Sequence, residues 1–201
     1  MIKTSLKALS LLIACLQGHS QVERGTAIAY AASTTNFVIA ADSLSWVMEA
    51  SQQIPKVLTE KSCKITELAP NALFSQSGLT ADLSESGWSA QADARRVATD
   101  HPFVNFNQFR EGVREYEQLL LEKVNAIRRT SPPATYAEFL NQGPSAPVFA
   151  AYLPDTGLTV VDIGLTFSKN GAPQISEHFL EPVELSKGDP ESVGMGATVF
   201  H

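Results

Sequence analysis

The segment RGTAIAYAASTTNFVIAADS, residues 24–43, poses a chemical question at Thr26. Its hydroxyl belongs either to an ordinary β-branched residue at a strand entrance or to a nucleophile exposed when the chain is cut after Gly25. Further along, Asp42 closes the apolar run FVIAA, Lys64 opens KITEL, and Gly78 ends ALFSQS. Each has an ordinary use as well. An aspartate at a strand end forms turns, a strand lysine is commonly a solvated edge residue, and a glycine can simply serve a turn. Cys63 beside Lys64 could act as a thiolate, but no histidine stands in a partner motif, and a strand cysteine is more often buried and inert. His19, His101, His178 and His201 lack the spacing of metal ligands. No metal and no cofactor is expected.

The elements that must position these residues follow from local pattern. Thr26–Ala32 and Asn36–Ala41 read as a hairpin around the turn residues Ser33-Thr34-Thr35-Asn36. The continuous apolar run FVIAA predicts a strand covered on both faces. Residues 43–61 show little periodicity and read as loop with one short strand. Lys64–Leu68 is a strand, Pro70-Asn71 a turn, and Ala72–Ser77 a second strand ending at Gly78. Thr80 to Asp100 is helical by propensity, with Gly87 as an interruption and His101-Pro102 as its close.

From Phe106 to Arg129 the residues Phe106, Phe109, Val113, Tyr116, Leu120, Val124 and Ile127 recur at helical spacing. Asn105 with Gln108 makes a capping box, Arg128 and Arg129 suit the C-terminal dipole end, and Ser-Pro-Pro stops the helix. It is read as a packing element. After residue 146 strands return: PVFAAYL, a turn at Pro154–Gly157, LTVVDIGLTF, a turn at Asn170-Gly171, then ISEHFLEPVEL. Strands, then helices, then strands argue for an α+β domain rather than a βαβ repeat.

The 201 residues suffice for one domain with a hydrophobic core. Hydrophobic residues at 44% and charged residues at 18% exclude a disordered chain. A net charge of −6 argues against a nucleic-acid partner. The first 20 residues read as a secretory signal: basic MIKTSLK, an apolar run ALSLLIACL too short to span a bilayer, then small Gly18 and Ser20 before the cut. Removing Lys3 and Lys7 leaves 13 basic against 21 acidic side chains. A second reading takes Leu12-Ile13-Ala14-Cys15 as a site of cleavage and lipid attachment on Cys15. With Cys63 alone in the rest of the chain, no intramolecular disulfide forms after export. The protein is therefore expected to be exported, periplasmic or secreted, with lipid anchoring in the envelope as the alternative and no membrane span.

Three segments resemble the proteasome core β subunits, members of the N-terminal-nucleophile (Ntn) hydrolases. GTAIAYAASTTNFVIAADS is similar to the family's opening hairpin. KITELAPNALFSQSGLTAD is similar, without a gap, to the stretch from the active-site lysine to the glycine and following aspartate. VGMGATVF more weakly resembles a Gly-Ser-Gly-Ser strand. The first two cover roughly a fifth of the chain.

The resemblance implies a four-layer αββα sandwich spanning residues 21–201 and a threonine amidohydrolase or peptidase acting on a peptide or amide. Thr26 would be the nucleophile after loss of a short propeptide, residues 21–25. The freed α-amine, with a pKa of about 8 in model peptides, would take the hydroxyl proton. Lys64 would place positive charge beside that amine and keep it neutral. Asp42 would pair with Lys64, and the Gly78 N–H would face the oxyanion, a role worth about 2.7–4 kcal/mol. Homo-oligomerisation is expected by the same analogy alone.

The sequence also departs from the family. Counting back from Asp42 without a gap puts Thr26 on the nucleophile position. Matching the apolar alternation through Ile28 and Tyr30 puts Gly25 there, which implies an inactive structural or binding protein of the envelope. The segment between Asp42 and Lys64 is longer than in the family. Met195 and Ala197 replace serines, and the sequence stops before the family's last helices and strands, so missing strands would leave an open sheet edge. A lipid on Cys15 would be lost if the chain were cut after Gly25.

Overall fold

A computed structural model describes residues 22–25, 28–32, 37–41, 45–47, 56–59, 63–82, 87–141, 145–180 and 190–193. The early strands are short: β1 (Val22–Gly25), β2 (Ile28–Ala32), β3 (Phe37–Ala41), β4 (Ser45–Val47) and β5 (Lys56–Thr59). β6 (Ile65–Ala69) turns at Pro70-Asn71 into β7 (Ala72–Asp82). Three helices follow, α1 (Ala90–Asp100), α2 (Phe106–Thr130) and α3 (Pro133–Asn141). The chain then forms β8 (Ala146–Leu153), β9 (Gly157–Phe167), β10 (Pro173–Phe179) and β11 (Pro190–Val193).

Among the described residues, eight strands form one sheet in the order β10-β9-β8-β7-β1-β4-β5, with β6 also paired to β7. A second sheet has the order β11-β2-β3. Each described pairing is antiparallel. The fold is α+β. β11 pairs with β2, so a late segment of the chain covers the edge that β2 would otherwise leave open.

Strand alternation explains the layering. On β8 and β9, Phe149, Ala151, Leu153, Val161, Ile163 and Leu165 join the cluster built on the helices, with Val97 of α1, Phe109, Tyr116 and Leu120 of α2, and Phe139 of α3. The intervening Val148, Ala150 and Val160 point the other way and pack on Tyr30, Phe37 and Ile39 of the small sheet. Helices, large sheet and small sheet are thus three stacked layers, with β8 and β9 of the large sheet covered on both faces.

Several sequence expectations need correction. FVIAA is not covered on both faces: β3 alternates, and Val38 is 66% exposed. An apolar run cannot reveal which sheet a strand joins. Residues 43–61 contain two short strands, β4 and β5, rather than one. β7 does not end at Gly78 but runs on to Asp82, so Thr80–Asp82 is strand and the helix begins only at Ala90, beyond Gly87. α3, which directly follows Ser131-Pro132, had no sequence expectation.

α2 spans Phe106–Thr130, close to its expected bounds. Asn105 caps it by accepting from the Gln108 N–H at 3.0 Å. The reciprocal half of the capping box is not made, since Gln108 Oε1 is buried without a partner among the described residues. Among the described residues no helix is long and apolar enough to cross a membrane.

Candidate active site

β7 is the strand on which the site is built. Its first half, Ala72–Ser77, pairs with β8, and Ala72–Ser75 also pairs with β6. Residues paired on both sides fix β6 and β8 on opposite edges of β7. The second half, Gly78–Asp82, pairs with β1. Gly78 sits at the changeover with φ 75, a left-handed conformation that side chains disfavour. Alternation breaks there: Ala72 and Phe74 face the helices before Gly78, and Leu79 does so after it. A glycine lets the strand twist through this reversal and continue. Gly78 is therefore not a turn residue.

Lys64 lies just before β6, whose first residue, Ile65, pairs with Ser75. Only Gln76 and Ser77 separate Ser75 from Gly78, about 10 Å along a strand. Lys64 is 5% exposed, which rules out the solvated-edge reading. Its backbone is clamped from β7, where Ser75 Oγ donates to the Lys64 carbonyl at 2.8 Å. The preceding carbonyl, of Cys63, accepts from Gln91 Nε2 of α1 at 2.6 Å. Burying a lysine is costly unless its charge is used. Lys64 lines a cavity of about 210 Å³ with Cys63, Gln76, Thr80, Ala81, Ser89, Ala90 and Gln91, a lining of mixed polar and apolar character. Cys63 itself is exposed rather than buried, and its Sγ donates to Ile65 O at 3.2 Å.

Thr26 and Asp42 lie outside the described residues, as do residues 1–20 with Cys15, and Met195 and Ala197. The residues just before Thr26 and Asp42 are described. Gly25, the residue before Thr26, pairs with Gly78 of β7 and with Ser45 of β4. Ala41, the residue before Asp42, pairs with Ile28. β1 is thus an inner strand, held between β4 and β7, and its last residue faces Gly78.

A buried polar network lies behind Gly78, and sequence reasoning missed it. Tyr116 of α2 donates to Gln76 Oε1, and Gln76 Nε2 donates to Leu79 O and, at 2.9 Å, to Ser145 Oγ. Ser145 Oγ in turn donates to Ser77 O at 2.9 Å. Burial, with Asp93 as a lesser cause, pushes the Tyr116 hydroxyl well above its ordinary range, so it stays a donor. A glutamine inside the strand ALFSQS was the local signal.

Two other titratable groupings lie elsewhere. Glu117 of α2 is buried, and its carboxyl is raised to about 8 by burial and then by Glu177 of β10, with Arg114 acting in the opposite direction. His101 is not isolated: its Nε2 lies 2.7 Å from Glu115 and its Nδ1 3.8 Å from Glu111. Among the described residues no group of His, Cys, Asp and Glu could hold a metal ion.

No protein-family model matches the chain, and a search of curated proteins finds no match to it.

Proposed function

We propose that the protein is an exported threonine amidohydrolase or peptidase of proteasome-like, Ntn-hydrolase type, with Thr26 as its N-terminal nucleophile. The observation that carries this reading is the pairing of Gly25 with Gly78, beside a buried Lys64. The bond to be cut follows Gly25 directly.

The chemistry balances without a cofactor. The Thr26 hydroxyl oxygen adds to the Gly25 carbonyl carbon. The bond from that carbon to the Thr26 nitrogen breaks, and the hydroxyl proton ends on that nitrogen. Water then adds to the resulting ester, giving a Gly25 carboxyl, a free Thr26 hydroxyl and a free α-amine. That amine is the base for later turnovers. Lys64 would keep it neutral, Asp42 would pair with Lys64, and the Gly78 N–H would receive the developing oxyanion.

The substrate class follows from β1. Release of residues 21–25 removes a strand bonded on both sides and frees the facing edges of β4 and β7. The gap is one strand wide, about 9.6 Å between β4 and β7. An extended peptide would enter it by strand addition. A fourth layer, completing αββα, would lie on the outer face of the small sheet, where Val38 and Ala40 are exposed.

The alternative is an inactive structural or binding protein of the envelope. The burial of Ile28 and Tyr30, 2% and 3% exposed, favours it, because that alternation is the one that puts Gly25 on the nucleophile position. The two readings separate on a Thr26→Ala variant. The active reading expects the wild-type chain to lose residues 21–25 and the variant to keep them. Wild type and variant with the same N-terminus would remove the active reading.

A further inference from the structure

Resting on the reading of Gly78 as oxyanion donor, we propose that Ser145, anchored by Gln76 and Tyr116, is a positioning residue that aims the Gly78 N–H at the reacting carbonyl. The Ser77 carbonyl and the Gly78 N–H belong to one planar trans peptide unit and point in opposite directions. Fixing one fixes the other. Ser145 Oγ donates to the Ser77 carbonyl at 2.9 Å. Ser145 immediately precedes β8, so this carbonyl points toward the β8 edge of β7. The Gly78 N–H therefore points to the opposite edge, which carries β6 beside Ala72–Ser75 and, opposite Gly78 itself, Gly25 of β1.

Gly78 needs such a restraint more than any other residue type would. A glycine at φ 75 has neighbouring conformations of similar energy, and rotation of the peptide unit would turn the N–H away. The network holds both sides of Gly78, since Gln76 Nε2 donates to the Leu79 carbonyl while Ser145 holds that of Ser77. Gln76 cannot swing, because Tyr116 donates to its Oε1 and its Nε2 also reaches Ser145 Oγ. Ser145 is itself fixed, its carbonyl accepting from the Leu165 N–H at 3.0 Å. Gln76, Ser77, Tyr116 and Ser145 are each at most 2% exposed, so these bonds are shielded from bulk solvent.

The rate of cutting after Gly25 reads the donor without any knowledge of the external substrate. Full-length wild type, Ser145→Ala, Ser145→Thr and Tyr116→Phe chains are made by cell-free synthesis, and intact mass is followed with time. Thermal unfolding of each chain checks that it is folded. Loss of an oxyanion donor itself costs about 100- to 1,000-fold, so Ser145→Ala, which leaves the donor present but loosely aimed, is expected to slow the cut about 10-fold or more. Ser145→Thr keeps the hydroxyl and is expected to restore the rate. Tyr116→Phe, which removes one oxygen from the anchor, is expected to fall between.

A folded Ser145→Ala or Tyr116→Phe chain that is cut at the wild-type rate would overturn the assignment. So would equal slowing in Ser145→Ala and Ser145→Thr, because packing and not the hydroxyl would then set the rate. A wild-type chain that is never cut would overturn the reading of Gly78 together with this inference. An unaffected variant beside a cut wild type removes only the role of Ser145.

Discussion

Gly78 concentrates the residue-scale argument. Its φ of 75 costs a glycine nothing but strains any side chain, and its N–H is the proposed oxyanion donor. Gly78→Ala is expected to destabilise by about 1 kcal/mol or more, seen as a fall in Tm of about 2–4 °C for each kcal/mol in a domain of this size. Cutting after Gly25 should also slow in that variant by more than the stability loss explains. An Ala variant with unchanged Tm and unchanged N-terminus would contradict both roles. Lys64 and Gly78 could be singled out from KITELAPNALFSQSG because their spacing along one hairpin is local. That Lys64 is buried could not be read, since its cover comes from α1 and β7 folding over it. The network of Gln76, Tyr116 and Ser145 was equally hidden, because its members are far apart in sequence and no periodicity links a strand glutamine to a helix tyrosine.

At the scale of elements, α2 shows what local pattern can and cannot deliver. Its apolar stripe and its ends were legible because a 3.6-residue period and a cap are local signals. Asn105→Ala removes the bond to the Gln108 N–H and should cost about 1 kcal/mol, measured as a lower urea midpoint. Gln108→Ala leaves that bond in place and should be nearly neutral, because Gln108 makes no reciprocal bond. The contact between α2 and β10 is different in kind. There Glu117 meets Glu177, and burial raises the Glu117 carboxyl from its ordinary 4.5 to about 8. Between those values the folded chain holds a proton that the unfolded chain has released. Stability should therefore fall as pH rises from about 4.5 to about 8 and then level off. Urea midpoints at about pH 5 and pH 9 check this, and Glu117→Gln should lack the fall. The apolar stripe marks this helix as a packing element, and nothing in the local pattern distinguishes Glu117 from the more exposed glutamates around it. Strands β4 and β5 are too short to display alternation, and β7 runs past Gly78 because that glycine is a twist rather than a stop.

The whole molecule is organised around the large sheet, which separates a helical face from the face that packs on the small sheet. Order of elements was enough to argue for an α+β domain, since strands, helices and strands succeed one another in blocks. How the short early strands divide between two sheets was not legible. β1 joins the large sheet while β2 and β3 join the small one, so the chain crosses between sheets just after Gly25. The proposed cut directly follows the last residue of β1, and residues 22–25 are an inner strand that cutting would release. The mass of the mature protein's N-terminus tests that account most directly. The account predicts a chain that begins at Thr26. A chain that begins uniformly at Gln21 or at Cys15 would contradict it.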